Sequence, residues 1–332
     1  MPRPTLPPSS SGQPSNLPTL SARQLRSGRR HSSIERMTRS LSGSIWLMLT
    51  PAVALIAVFI LVPMVLTVWL SFHEWSTQTG FGSARFVGLR NFADLLGPIS
   101  VGRDFKRAFL NTAIYTVLSV VVILPLSVLL GLLVHQTRVA GGNALRTVLF
   151  STYMVPLIAV ALVWSKLYSP TEGPINQILS WVGIGPQPWL SAPGTALASI
   201  VILNVWQQIG YFTVLVIAGL TQIPGALYEA ARIDGANRIQ EFFSITLPLL
   251  RRTLLFSSVI AVINAVQVFE PVALITQGGP ANATNVLTFH IRRVGIERAQ
   301  GGLGSAMAVM LMLSLIVVIV LIFAMARQKE ER

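Results

Sequence analysis

Six long apolar runs, separated by shorter polar segments, dominate the chain from residue 45 onward. A helix needs roughly 20 predominantly apolar residues to cross the hydrocarbon of a bilayer. Each run reaches that length, so the pattern predicts six transmembrane helices. The runs cover 45–72, 108–134, 147–169, 196–220, 251–272 and 304–326. Prolines inside the first two runs are compatible with this prediction, because neighbouring helices can satisfy the backbone groups that a proline frees.

The residues before and after the six runs are polar. Residues 1–40 are rich in Pro, Ser and Arg, so they cannot bury enough apolar surface to offset the entropy of ordering. We therefore expect a disordered basic tail at 1–40, one membrane domain at 45–326 and a short tail at 327–332. The first run is longer than the apolar core of a cleavable signal peptide, so we interpret it as a retained helix.

The composition agrees with a membrane protein. The chain is 52% hydrophobic and only 11% charged, whereas soluble domains carry about 25% charged residues. A net charge of +13 would suit a nucleic-acid-binding protein, but here long apolar runs separate the basic residues. Positive charge at the inner membrane leaflet explains this distribution better. The sequence contains no cysteine, which excludes disulfides, thiolate metal sites and cysteine nucleophiles.

The distribution of Arg and Lys predicts the orientation of the chain. Six spans place both ends on one side, and the segments on that side carry 16 Arg and Lys residues against eight on the other. Positively charged loops remain in the cytoplasm, so we expect cytoplasmic N- and C-termini. The long loop between runs four and five, residues 223–252, is then cytoplasmic as well.

The loop 223–252 has the pattern of two short helices joined at a glycine. Residues 226–233 include strong helix formers, and Gly235 follows them as a typical helix end. A second amphipathic stretch, 237–247, is predicted to end at Pro248. An amphipathic helix of this kind either lies in the lipid interface or docks on a partner protein. Acidic and basic side chains mix on its polar face, and this favours docking, because interfacial helices are rich in Lys and Arg there.

The same loop carries a sequence signature. It reads Glu-Ala-Ala at 229–231, Gly235 after three more residues, and Ile-Thr-Leu-Pro at 245–248 after nine more. This spacing resembles the EAA loop of ABC importer permeases. The likeness extends over nearly all of 45–326, toward the carbohydrate branch with the maltose and glycerol-phosphate permeases. Segments 111–134, 145–164, 172–179 and 276–291 carry this wider likeness, and residues 1–40 have no counterpart in the family pattern.

The resemblance implies the fold and the contact with an energy source. The expected fold is an all-α integral membrane protein with six transmembrane helices and a cytoplasmic coupling helix, the type I ABC importer permease fold. In that family the loop docks on a cytoplasmic ATPase. The residues that would couple this chain to the ATPase are Glu229, Ala230, Ala231, Asp234, Gly235, Leu247 and Pro248.

The chain has no ATP-hydrolysing motif of its own. A P-loop needs the pattern Gly-x-x-x-x-Gly-Lys-Ser/Thr, and none of the lysines, Lys106, Lys166 and Lys329, lies in such a context. The resemblance implies two copies of a separate ATPase subunit, which use ATP and magnesium, together with a second homologous permease and an extracytoplasmic solute-binding protein. The expected location is the inner (plasma) membrane of a bacterium. We expect no catalytic residue, metal, cofactor or nucleic acid on this chain, whose four histidines are scattered.

Polar residues in runs four and five are candidates for a solute pathway, because polar groups inside membrane helices are costly and often functional. Sugars are held by amide and carboxylate hydrogen bonds and by aromatic faces, and the resemblance implies a sugar site on the helices flanking the coupling loop. The candidates are Asn204, Gln207, Gln208, Tyr211, Asn264, Gln267, Phe269 and Glu270. The alternative role is helix packing, since amides also hold membrane helices together. An ion pair between Glu270 and Lys166 is a further hypothesis.

Two other classes of function are compatible with six spans. A secondary transporter or channel often has inverted repeats and interrupted helices, but no paired symmetry is visible in this sequence. A membrane enzyme needs clustered acids, histidines or metal ligands at a cavity, and only Glu270 and Lys166 are candidates. The sequence therefore predicts the permease subunit of an ATP-driven importer for a sugar or sugar-like solute.

Overall fold

The computed structural model describes residues 49–136 and 142–328, so the predicted tail at 1–40 and most of the tail at 327–332 lie outside the described residues. The elements are α1 (Leu49–Ser71), β1 (His73–Glu74), β2 (Arg85–Phe86), α2 (Arg90–Leu96), α3 (Ser100–Gln136), α4 (Gly142–Met154), α5 (Leu157–Leu167), α6 (Pro174–Trp181), α7 (Pro193–Leu220), α8 (Gly225–Ile233), α9 (Arg238–Val266), α10 (Leu287–Arg292) and α11 (Gly301–Gln328). The chain divides into two units, Met1–Pro63 and Met64–Arg332, and the described part of the first is the beginning of α1.

In the described parts of the chain, five helices are long and apolar enough to cross a membrane, namely α1, α3, α7, α9 and α11. Helices α4 and α5 make a sixth span if they are counted together, although the chain bends by 95° between them. The sequence predicted one continuous helix over 147–169, and the break falls at Val155 and Pro156. Proline has no N–H and disfavours helical backbone in the preceding residue, so the helix is interrupted there.

Pro63, Pro125 and Pro248 lie inside continuous helices, and a π-helical turn precedes the first and the last of them. Ala57–Leu61 precedes Pro63 in α1, and Phe242–Thr246 precedes Pro248 in α9. A wider turn shifts the carbonyl that a proline ring would otherwise meet four residues back. The predicted helix end at Pro248 is therefore wrong, because α9 continues through it as one helix from Arg238 onward.

At its other end, α9 is shorter than the apolar run that predicted it. The run extends to residue 272, but the helix ends at Val266, and a separate π-helical turn follows at Val272–Thr276. The chain leaves the helical conformation at Val268 and Phe269, and Pro271 lies at the start of the next helical turn, where its missing N–H breaks no hydrogen bond. Three of the predicted pathway residues therefore lie beyond the helix: Gln267, Phe269 and Glu270.

Helix α7 is the central helix of the bundle. In its most apolar stretch of 18 residues, 72% of the residues are buried, compared with 28% in the corresponding stretches of α3 and α9. Phe212 of α7 lies in the main apolar core together with Tyr115 of α3 and Ala261 of α9. Gly210 allows α4 to approach closely, because a Cβ at this position would lie 1.7 Å from the carbonyl oxygen of Leu149. Small residues at such contacts are typical of membrane helix packing.

Buried amide side chains fix the connections between the helices. Asn91 donates to two backbone carbonyls, at the end of α1 and in β1. Asn111 of α3 donates to two carbonyls in the segment that precedes α10. Asn176 of α6 donates to three carbonyls in the segments that flank this helix and accepts from the indole N–H of Trp189 at 2.9 Å. Each amide satisfies backbone groups that no helix or strand pairs.

Candidate functional site

The first candidate site is the loop between α7 and α9, which is built around α8. All nine residues of α8 are described, and none of them is buried. Ile233 at its end is 86% exposed, and Ile239, in the first turn of α9, is 70% exposed. An exposed helix with apolar side chains beside it is suited to contact another protein.

Gly235 ends α8, as the sequence predicted. Its φ is +84°, in the left-handed region that glycine adopts without strain. The N–H of Ala236 donates to the carbonyl of Ala231 at 2.9 Å and closes the turn. Four residues, Asp234 to the N-cap Asn237, separate the end of α8 from the start of α9.

The start of α9 is capped by a pair of side chains that the sequence analysis missed. The Asn237 side chain accepts from the N–H groups of Ile239 and Gln240, at 3.0 and 2.9 Å. The Gln240 side chain accepts from the N–H of Asn237 at 2.8 Å. This is a capping box, and the spacing Asn-x-x-Gln was a visible signal for it.

Two side-chain contacts connect α8 to the first turns of α9. Nε of Arg232 donates to Oε1 of Glu241 at 2.8 Å, and the hydroxyls of Tyr228 and Thr246 lie 3.0 Å apart. The Glu241 side chain is 9% exposed and that of Arg232 is 58% exposed. The hydrogen bond and the charge of Glu241 raise the pKa of the Arg232 guanidinium. Neither contact could be predicted from the sequence, because both depend on the angle between the two helices.

The predicted coupling residues lie along the surface of this loop. The exposed ones are Glu229, Ala230, Asp234, Gly235 and Pro248, and the partly exposed ones are Ala231 and Leu247. A cleft of about 630 Å³ opens beside them. Its charged lining comes from Glu229, Arg232, Arg238 and Glu241, and His135 at the end of α3 lines it as well.

The second candidate site is a chain of amide side chains between α7 and α9. Nε2 of Gln208 donates to Oδ1 of Asn204 at 2.8 Å, and Nδ2 of Asn264 donates to Oε1 of Gln208 at 3.1 Å. Asn204 is 5% exposed. Three of the predicted pathway residues are therefore hydrogen-bonded to one another across two helices. This arrangement is typical of the alternative role that the sequence left open, namely helix packing.

Gln207 has a different partner. Its Nε2 donates to the carbonyl oxygen of Val155 at 3.2 Å, at the bend between α4 and α5. The N–H of Ala159 donates to the carbonyl of Pro156 at 2.9 Å, so the helix itself leaves the Val155 carbonyl without its usual donor. Gln207 is only 7% exposed and supplies the missing hydrogen bond at this bend.

The remaining predicted pathway residues are more accessible. Tyr211 is partly exposed and stacks on Tyr153, with ring centres 4.9 Å apart. The Arg292 guanidinium lies 5.7 Å from the ring centre of Phe269, a distance typical of a cation–π contact. Gln267 and Glu270 are exposed. These four residues present aromatic, amide and carboxylate groups that no buried hydrogen-bond network uses.

Lys166 and Glu270 do not form the hypothetical ion pair. Over the described residues the salt bridges are Arg232–Glu241 and Arg292–Glu297. Glu270 lies beyond the end of α9, where it is exposed. An exposed carboxylate does not need an oppositely charged partner to offset the cost of burial. Over the same described residues, no group of three or more His, Asp or Glu side chains is arranged to hold a metal ion.

A bundle of long apolar helices that presents an exposed helical loop is the architecture of a membrane-spanning protein with a contact surface outside the membrane. The sequence profile described as "Binding-protein-dependent transport system inner membrane component" matches residues 99–331, more than half of the chain. The chain belongs to this family, whose members are the permease subunits of ABC importers. It is thus a multi-pass membrane protein, and the predicted family is confirmed.

Named relatives cover most of the chain. It is 36% identical over 271 residues to the trehalose/maltose transport system permease protein MalF of Thermococcus litoralis, which spans 80% of this chain and 87% of that protein. It is 30% identical over 311 residues to the diacetylchitobiose uptake system permease protein NgcF of Streptomyces coelicolor, over 89% of this chain and 84% of that protein.

A solved structure has the same fold. The crystal structure of a bacterial ABC transporter that imports the acidic polysaccharide alginate contains a chain with a TM-score of 0.75 and 25% identity. The match covers 88% of this chain and 99% of that chain. The predicted all-α importer permease fold is therefore confirmed.

Proposed function

We propose that this chain is the sugar-translocating permease subunit of an ATP-driven importer, and that α8 is its contact with a separate ATPase subunit. One observation carries the proposal: α8 bears the Glu-Ala-Ala and glycine signature and buries none of its residues. A helix of this length is only marginally stable by itself in water, so a partner that covers it also stabilises it. Two copies of a cytoplasmic ATPase subunit, which use ATP and magnesium, fill this role.

Two further partners complete the importer. A second homologous permease forms the pathway together with this chain, and an extracytoplasmic binding protein delivers the solute. The family description, with its reference to binding proteins, supports the second partner. Both termini and α8 face the cytoplasm, as the distribution of Arg and Lys indicates.

The solute is a sugar or sugar-like molecule. Relatives named for trehalose/maltose, diacetylchitobiose and sulfoquinovosyl glycerol support this class. Tyr211, Gln267, Phe269 and Glu270 are the side chains that contact it, since they offer an aromatic face and free polar groups. The amides of Asn204, Gln208 and Asn264 serve chiefly to hold α7 against α9.

The test is ATP-driven uptake by the reconstituted complex. This chain, the second permease, the ATPase and the binding protein are incorporated into proteoliposomes, and uptake of labelled trehalose, maltose and diacetylchitobiose is measured together with ATP hydrolysis. We expect uptake of at least one sugar only when ATP and the binding protein are both present. Uptake that follows a proton gradient and ignores ATP would instead support a secondary transporter.

A charge reversal on α8 tests the docking contact. Glu229→Lys is expected to abolish co-purification of the ATPase with the permease pair, because it reverses an exposed charge within the signature. Gln222→Lys, which introduces a lysine at an exposed position just before the loop, is the control and should leave co-purification intact. Retained assembly and transport in Glu229→Lys would count against α8 as the docking helix.

A further inference from the structure

Helix α8 is attached to α9 by more than the short glycine turn. Glycine at 235 lies in open space, with nothing within 4 Å of a Cβ built on it. A turn of this kind can change its dihedral angles easily. A force applied to α8 would therefore be absorbed at the turn unless side chains connect the two helices.

The first connection is the Arg232–Glu241 ion pair. Arg232 lies in the last turn of α8 and Glu241 in the first turn of α9. Exposed ion pairs contribute little to stability, but the carboxylate here is 9% exposed. A largely buried carboxylate that lost its partner would be costly, so Glu241 has a strong preference for keeping Arg232 in place.

The second connection is the contact between the Tyr228 and Thr246 hydroxyls. Tyr228 lies one helical turn before Arg232, so both side chains share a face of α8. On α9 the partners Glu241 and Thr246 are five residues apart, and the π-helical turn Phe242–Thr246 lies between them. An α-helix would place residue 245 above Glu241, and the extra residue of the π turn places Thr246 there instead. Thr246 is 3% exposed.

We infer that Arg232–Glu241 and Tyr228–Thr246 form a two-point clamp that makes α8 and the base of α9 one rigid lever. This inference rests on the proposed function, because it describes how displacement of α8 by the ATPase reaches the membrane. The four residues are positioning residues and contact no solute. With the clamp closed, a movement of α8 rotates or shifts α9 as a whole.

The end of α9 that lies farthest from α8 is next to the predicted pathway residues. Helix α9 contains 29 residues, which span about 43 Å at the usual rise per residue. Asn264, two residues before the end of the helix, donates to Gln208 of α7 at 3.1 Å. The exposed pathway candidates follow directly after α9, so movement of the lever changes their position relative to α7.

Breaking the clamp should uncouple ATP hydrolysis from transport. In the complete complex in proteoliposomes, Arg232→Gln, Glu241→Gln and Tyr228→Phe are compared with the unmodified chain by sugar uptake per ATP hydrolysed. We expect this ratio to fall about fivefold or more in each charge variant, because α8 can then move without moving α9. Glu172→Gln makes the same change at an exposed carboxylate outside both candidate sites and should leave the ratio unchanged.

Restoring the connection should restore the coupling. This chain has no cysteine, so Arg232→Cys with Glu241→Cys can be bridged in an otherwise cysteine-free complex by a bifunctional methanethiosulfonate, which forms a reducible disulfide with each thiol. We expect low uptake per ATP before bridging, recovery after it, and loss again on reduction. A merely stabilising role for the ion pair would not produce this reversible change in stoichiometry.

The outcomes separate the clamp from the proposed function. If the unmodified complex shows no ATP-driven uptake, the proposed function fails. If it transports, and the variants keep the unmodified uptake per ATP, the clamp is wrong. Failure of every variant to assemble, without recovery on bridging, would also overturn the clamp, because the pairs would then serve folding alone. Reduced uptake per ATP with recovery on bridging supports it.

Discussion

At the scale of single residues, the backbone conformation of Gly235 connects the sequence signature to the geometry of the loop. A φ of +84° at this position turns the chain so that only four residues separate the end of α8 from the start of α9. Other L-amino acids pay roughly 1–2 kcal/mol in the left-handed region. The signature glycine is therefore explained by the backbone, since its surroundings leave room for a side chain.

Gly235→Ala should weaken association with the ATPase about tenfold, the equivalent of roughly 1.4 kcal/mol. Binding of the purified ATPase to the permease pair, measured by titration, checks this. Gly225→Ala is the matched control, because a Cβ there also meets nothing within 4 Å and no left-handed φ is involved. Equal affinities for the two variants would contradict the explanation by backbone strain.

His290 of α10 gives a second prediction at this scale. It is 1% exposed, and Nε2 has no hydrogen-bond partner among the described residues. Burial, and then the positive charge of Arg293, lower the pKa of its imidazole from 6.5 to about 4, against a small opposing effect of Asp104. In the unfolded chain the ring takes up a proton near pH 6.5, but in the folded chain it does so only near pH 4.

Stability should therefore fall as the pH decreases from about 6.5 toward 4, because only the unfolded state binds the proton in this range. The thermal midpoint of the purified protein should decrease by about 3 °C or more across this window. In His290→Gln this decrease should become clearly smaller. A variant with the same pH profile as the unmodified chain would mean that other groups cause the dependence.

At the scale of helices, packing around α7 depends on the absence of side chains at particular points. Gly210 lies against the carbonyl of Leu149 in α4, and Gly219 lies against Thr253 and Leu250 in α9. Interiors are close-packed, so an added methyl group must move a helix. The bend between α4 and α5 increases this dependence, since Gln207 must also reach the carbonyl that the bend exposes.

Gly210→Ala should destabilise the protein by about 1–3 kcal/mol or more, because the new methyl group would overlap the Leu149 carbonyl. Gly194→Ala, near the start of the same helix, meets nothing within 4 Å and should be neutral. Thermal midpoints of the two purified variants check the difference. Similar midpoints would show that α4 moves away from α7 at little cost.

The amide chain between α7 and α9 should behave as a unit. Asn264→Leu breaks it and leaves Gln208 without its donor, so stability should fall by about 0.6–2 kcal/mol. The double variant Asn264→Leu with Gln208→Leu should lose less than the sum of the single losses, because both single losses include the same hydrogen bond between these two side chains. An unchanged stability with a raised KM for sugar uptake would instead assign Asn264 to the solute.

At the scale of the whole molecule, the distribution of charge predicts which loops face the cytoplasm. Single cysteines at exposed positions can test this, because the natural chain has none. Gln78→Cys, in the segment after α1, should react with a membrane-impermeant maleimide on intact cells. Ala226→Cys, in α8, should react only after the membrane is permeabilised. The reverse pattern would place α8 outside and exclude contact with a cytoplasmic ATPase.

Much of this fold could be predicted from the order of residues, because hydropathy and helix-ending glycines act locally. The apolar runs correspond to helices at nearly every position, and Gly235 ends α8 as expected. The predictions of helix ends failed at prolines, because a proline can either interrupt a helix or be accommodated inside it. Pro156 breaks a span, whereas Pro248 is accommodated by a π-helical turn, and only the packing around each residue selects between these outcomes.

By itself, the sequence determined that this protein spans a membrane and that it carries the Glu-Ala-Ala and glycine loop by which it resembles the importer permeases. These properties depend on neighbouring residues and on their spacing, both of which the order of residues fixes directly. The tertiary structure alone decided that Asn204, Gln208 and Asn264 bond to one another and that Arg232 meets Glu241. Such contacts depend on the distance and angle between helices, which no spacing along the chain specifies.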